Sequence, residues 1–141
     1  MPDSSQTSAS AARHERVRRQ HQRELAQDYV EAIFSLSKDS GSVRVMDLQS
    51  VFGVSHVTVI RALGRLEEQG FVYRPKRGQI ELTQTGRTMA EKSYARHQLV
   101  EAFLVKMGVP ESVAAADAEG IEHHLGAETL EAMQRFLSEG A

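Results

Sequence analysis

From Asp117 to His124 the chain reads Asp-Ala-Glu-Gly-Ile-Glu-His-His, a concentration of carboxylate and imidazole donors. On a helix Glu119, Glu122 and His123 stand at i, i+3 and i+4 and project to one side, while Ala118, Ile121 and Leu125 lie largely elsewhere and can pack. A second carboxylate pair, Asp28 and Glu31, sits one helical turn apart much earlier in the chain, and a lone histidine, His97, lies between. Carboxylates gathered together repel unless a proton or a cation neutralises them. If these three segments converge, a divalent metal supplies that cation. Hard oxygen donors with some imidazole and no sulfur suit manganese or ferrous iron better than copper(I) or a structural zinc. Because the affinity order works against manganese, ligand type and coordination number must provide the selectivity. The spacing alone equally fits a charged, solvated helix face. His124 points about 100° away from His123 and reads as a supporting or packing residue. Glu101, one turn after His97, reads as an accessory ligand or an ion-pair partner.

A second constellation lies between Val45 and Leu66. Val45, Leu48 and Phe52 form a short apolar stripe, Gly53-Val54-Ser55 breaks it, and Val59, Leu63 and Leu66 form another. A short helix, a turn with Gly and a longer helix opening on a Ser N-cap is the helix-turn-helix layout. The outward positions of the second helix are Ser55, His56, Thr58, Arg61 and Arg65. The first three are compact and polar, suited to base edges, whereas Arg61 and Arg65 can reach phosphates or guanine. Next come two short strands, Phe71-Val72-Tyr73 and Gln79-Ile80-Glu81-Leu82, around the loop Arg74-Pro75-Lys76-Arg77-Gly78. They predict a β-hairpin wing, with Arg74, Lys76 and Arg77 on the DNA backbone or at the minor groove. A basic run, Arg13, Arg16, Arg18, Arg19 and Arg23, suits either phosphate contact or a solvated helix end.

These residues need elements to hold them. Residues 1–14, rich in Ser, Ala and Gln with no periodic apolar face, are expected to be a disordered extension. A helix follows from Glu15 to Ser37, with Leu25, Tyr29, Ile33 and Leu36 on one face. One long helix is predicted from Thr83 to about Met107, closed by Gly108-Val109-Pro110 with Pro110 at N1 of the next helix. Two more follow near Ser112–His124 and Ala127–Leu137. The reading is therefore mainly α: a winged helix-turn-helix domain over 15–82, then an all-helical metal-binding and dimerisation domain over 83–141.

The bulk numbers agree. A chain of 141 residues suits one medium domain or two small interdependent ones. The net charge of −2 conceals an asymmetry: residues 1–82 carry 12 Lys/Arg against 10 Asp/Glu, and residues 83–141 carry 5 against 9. A mildly basic reader joined to an acidic module fits that balance. No apolar stretch approaches a membrane span or a signal peptide, and there is no cysteine. Disulfides and thiolate ligands are thereby excluded, and a cytoplasmic setting is expected.

The sequence resembles the diphtheria toxin repressor family, in particular its manganese transport regulator branch. The resemblance runs from about Glu24 to Leu137. It rests on Asp28-Tyr29-Val30-Glu31, on Gly53-Val54-Ser55 through Leu66, on Leu82-Thr83 with Gly86, on Arg96-His97 with Phe103-Leu104, and on the segment Asp117–His124. It implies a metal site drawn from Asp28, Glu31, His97, Glu119, Glu122 and His123. Iron-responsive relatives carry Met and Cys where this chain has Asp28 and Glu119, a contrast that favours manganese. Six side chains, four of them carboxylates, suffice to bridge a pair of metals per subunit. The resemblance also implies a homodimer formed through the helices after the wing, and no SH3-like third domain is expected.

The function so implied is a manganese-responsive regulator. It binds double-stranded operator DNA as a metal-loaded dimer and represses metal-uptake genes, activation of an exporter being an alternative outcome. Neither a membrane nor a small-molecule substrate is expected as partner. An iron- or zinc-responsive regulator on the same scaffold is the alternative. A constitutive DNA-binding dimer with a purely structural acidic cluster is another rival. A metal-dependent hydrolase is disfavoured: the chain lacks His-Glu-x-x-His, an obvious nucleophile and a Gly-rich phosphate loop.

Overall fold

No Gly or Pro interrupts the chain from Ser4 to Ser40, and Ala, Arg, Gln and Glu dominate it from Ala9 to Gln27. These are strong helix formers, and the segment forms one helix, α1 (Ser4–Ser40). The computed structural model describes residues 4–76 and 78–139. After α1 come α2 (Val45–Phe52), α3 (His56–Glu68), β1 (Val72–Tyr73), β2 (Glu81–Leu82), α4 (Gln84–Met107), α5 (Glu111–Ile121), a 3₁₀ turn (Glu122–His124) and α6 (Ala127–Glu139). Residues 1–87 and 88–141 form two compact units, and α4 runs through the division.

In the first unit α1 buries Ala26, Tyr29, Val30 and Ile33, while Leu25 remains 38% exposed. The Tyr29 ring stacks on Phe52 of α2 with centroids 4.4 Å apart. Val45 and Leu48 of α2 meet Val59, Leu63 and Leu66 of α3 in the same core. Gly53, with φ of 63°, closes α2 in the left-handed conformation that glycine adopts without a Cβ penalty. Ser55 then caps α3, its Oγ accepting from the Thr58 amide at 3.2 Å.

The wing is an antiparallel pair, Val72 opposite Leu82 and Tyr73 opposite Glu81. Its strands are shorter than the sequence pattern suggests. A bridge from Ile80 N–H to the Val43 carbonyl (2.9 Å) ties the hairpin to the α1–α2 connection. Thr83 closes the hairpin onto α4. Its hydroxyl donates to the Gly70 carbonyl at 2.6 Å and accepts from the Gly86 amide at 3.0 Å. Gly86 is required for steric reasons, since a Cβ there would stand 2.0 Å from the Phe71 carbonyl oxygen.

In the second unit the buried residues of α4 and α5 are small: Ala90, Ser93, Val100, Ala114 and Ala118. Phe103 of α4 meets Phe136 of α6 edge-on at 5.2 Å. Gly108, with φ of 108°, ends α4. Pro110 takes the N-cap of α5 and not the expected N1, a shift of one residue.

The helix expected to begin at Glu15 begins at Ser4. Residues 5–23 are exposed apart from half-buried Ser10, so an apolar period is missing because this part of the helix packs against almost nothing. The expected helix Ser112–His124 stops at Ile121, and its last three residues tighten into 3₁₀ geometry.

Candidate metal centre and nucleic-acid interface

The donors of the Asp117–His124 segment fall on both sides of the change from α5 to the 3₁₀ turn. Glu119, on α5, is exposed; Glu122, in the turn, is 1% exposed; His123 is half-buried. The three donors thus differ in burial, although Glu122 keeps αR geometry and its backbone N–H still donates to the Ala118 carbonyl. Ile121, expected to pack, is largely exposed.

Glu122 lies between two histidines of the second unit. Its Oε2 stands 3.9 Å from His97 Nδ1, and its Oε1 stands 3.6 Å from His123 Nε2. On its other side His97 Nε2 faces Glu101 Oε2 at 3.3 Å, one turn along α4. Glu101 is thus a close neighbour of His97. His97 Nδ1 is buried without a hydrogen-bond partner among the described residues. Its separation from Glu122 is too long for a hydrogen bond. It lies within the span of two ligands on one ion at about 2.0–2.2 Å each. A buried carboxylate and an orphaned imidazole nitrogen fit a divalent cation, which satisfies both without a proton.

Asp28 and Glu31 belong to the first unit, half-buried on α1 one turn apart. Among the described residues no three His, Asp or Glu side chains converge at ligating distance. His97, Glu122 and His123 are neighbours, and Glu119 is exposed. His124, read as a supporting or packing residue, is exposed.

On the first unit, His56, Thr58, Arg61 and Arg65 of α3 are exposed, as is Ser55 at its cap. Ser55 Oγ is engaged with the Thr58 amide and also lies 3.0 Å from the Thr58 hydroxyl. Arg74 and Lys76 are exposed in the wing loop; Arg77 lies outside the described residues. At the wing base the Tyr73 hydroxyl donates to Glu81 at 2.5 Å, and that bond, with the Glu81 charge, pushes the phenol pKa up.

Two family models match the chain in succession. Residues 23–79 match the iron dependent repressor N-terminal DNA binding domain, and residues 83–140 match the iron dependent repressor metal binding and dimerisation domain. The transcriptional regulator MntR of Escherichia coli O6:H1 is 45% identical over 121 residues, 85% of this chain and 77% of that protein. The Salmonella typhimurium regulator of the same name is 44% identical over 124 residues, 87% of this chain and 78% of that protein. The chain belongs to the iron-dependent repressor family. A manganese-dependent transcriptional repressor solved in complex with manganese superposes with a TM-score of 0.73 at 30% identity, over 80% of this chain and 52% of that one. The IdeR structure from T. acidophilum shares the fold, with a TM-score of 0.71 at 23% identity over 82% of this chain and 54% of that one. The chain thus spans about half the length of these solved structures.

In this family member three residues near the interface carry signals that reading by polarity overlooks. Val57, at the start of α3, is 59% exposed between His56 and Thr58; an outward aliphatic group there suits a thymine methyl. Ile60 is also exposed on α3. Arg44 lies against the wing, where a Cβ on Gly78 would stand 3.0 Å from its Nη1. Arg44 precedes α2 in sequence, so only the Val43–Ile80 bridge reveals its place.

Proposed function

We propose that this chain is a manganese-responsive transcriptional regulator that binds operator DNA as a homodimer and represses metal-uptake genes. The observation that carries the proposal is the pairing of an exposed, Ser-capped recognition helix in one unit with the buried Glu122 and orphaned His97 Nδ1 in the other. The relatives supply the metal by analogy: one solved neighbour is a manganese-dependent repressor holding manganese.

The ligand set we propose is Asp28, Glu31, His97, Glu119, Glu122 and His123, sufficient for one or two metals per subunit. His97 and Glu122 are its preformed part. Asp28 and Glu31 extend it to α1, the helix against which the reader packs, so the cation would tie the reader to the helical domain. When bound, the metal supplies charge neutralisation for the carboxylates. Arg61 and Arg65 reach phosphates or guanine, Arg74, Lys76 and Arg77 sit on the DNA backbone or at the minor groove, and Ser55, His56 and Thr58 face base edges. Dimerisation would cover apolar groups that the second unit leaves in solvent, among them Met107, Val113, Ile121 and Phe136. Among the described residues no helix is long and apolar enough to cross a membrane, and the proposed setting is the cytoplasm.

Electron paramagnetic resonance tests the metal assignment, because protein-bound manganese loses the six-line signal of the free ion. Titration of the full chain should show saturable loss of that signal, abolished by His97→Ala and by Glu122→Gln. An unchanged titration in both variants would remove the site. Competition with ferrous iron and zinc decides between manganese and the other metals of the family.

A further inference from the structure

The matched DNA-binding domain begins at residue 23, yet α1 begins at Ser4. The residues from Ser4 to Glu24 add about 30 Å of helix at 1.5 Å per residue. This projection buries almost nothing, with residues 5–23 exposed apart from Ser10. Between Arg13 and Arg23 it carries five arginines against one acid, Glu15. Glu15 is occupied by Arg19 at 2.7 Å. Arg13, Arg16, Arg18 and Arg23 make no ion pair among the described residues. The first lysine of the chain is Lys38, so every Lys/Arg cation here is a guanidinium, whose planar fork suits phosphate oxygens. This stretch of helix lacks the packed apolar face from which most helical stability in proteins comes. A polyanion laid along it would offset the charge crowding. Because no Gly or Pro separates it from the part of α1 packed against α2, the arm is fixed in direction relative to the reader.

We propose that the segment Arg13–Arg23 of α1 is a DNA-backbone arm that grips phosphates flanking the site read by α3 and the wing. This rests on the DNA-binding role proposed above. The contact is sequence-independent and adds salt-sensitive affinity outside the region matched by the family model.

The test is the salt dependence of binding by the manganese-loaded full chain to a fluorescein-labelled 30-bp duplex of arbitrary sequence, read by anisotropy. Three variants are compared with the parent: Arg13, Arg16, Arg18 and Arg23 all to Ala, the same four to Lys, and Arg61→Ala. These four side chains lie in solvent, so folding is not at risk. Each phosphate contact contributes roughly 0.9 to the slope of log K against log salt. The Ala variant should therefore lose about 2–4 from the slope for each arm engaged, and the Lys variant should keep most of it. A parental slope in the Ala variant, with binding weakened by Arg61→Ala, would overturn the arm and leave the reader standing. Parental binding by both the Ala variant and Arg61→Ala would overturn the arm and the reader together. Equal losses in the Ala and Lys variants, or weaker binding at an unchanged slope, would assign these residues a structural role and overturn the proposal.

Discussion

At the residue scale Glu122 is the most informative side chain. A buried carboxylate is costly unless paired or neutralised, and Glu122 stands 3.9 Å from His97 Nδ1 and 3.6 Å from His123 Nε2. Glu122→Gln removes the charge and keeps the shape. In this variant the rise in Tm on adding manganese should disappear. At a metal concentration a hundred times Kd that rise corresponds to about 2.7 kcal/mol. A variant that melts well below the parent without metal, and still responds to manganese, would make Glu122 structural. Gly86 is the opposite case, a residue fixed by space alone. Gly86→Ala should cost about 1–3 kcal/mol as the Cβ forces Phe71 away, checked by urea unfolding. The six candidate donors came from residue type and spacing together with the family resemblance, but the burial of Glu122 and the exposure of Glu119 were not legible. Helical spacing gives the side of a helix on which residues stand, and not how much of that side is covered.

At the element scale the helix-turn-helix was legible almost residue by residue. Its signals are local: the Gly53 turn, the Ser55 cap and the apolar stripes that become the core. Ser55→Ala should cost roughly 1 kcal/mol, since the Thr58 amide loses its acceptor, and calorimetry would show it. Arg61→Ala, exposed and uninvolved in packing, should weaken DNA binding without moving Tm; a large fall in Tm would place Arg61 in the fold. The wing was legible in outline, although the Val43 bridge that anchors it is non-local. The first half of α1 was not legible as helix, because the pattern sought there was amphipathic and this segment has no core to face. High intrinsic propensity was the signal that remained.

At the scale of the whole molecule the division into a reader and a helical unit follows the shift in charge along the chain. The observed division falls at Arg87–Thr88, inside α4 and a few residues beyond the boundary expected at 82/83, because composition marks the end of the wing whereas contacts follow the helix that continues from it. The second unit buries mainly Ala, Ser and Val while Phe136 stays 46% exposed, a core too small to be stable alone. Dimer formation should therefore be coupled to folding, and Tm should fall on dilution in the absence of metal. A Tm independent of concentration, with a monomeric mass by analytical ultracentrifugation, would contradict the dimer.

The central claim is that manganese controls DNA binding. A metal can shift the protein toward its DNA-binding state only through a difference in affinity for the two states, so its effect must appear in DNA affinity at fixed salt. The direct measurement is anisotropy of an operator duplex, selected from a random-sequence pool by the full chain, titrated with and without manganese. Affinity should be at least tenfold tighter with manganese, an effect lost in His97→Ala. Equal affinity with and without the metal would contradict it, leaving a DNA-binding dimer whose acidic cluster is structural.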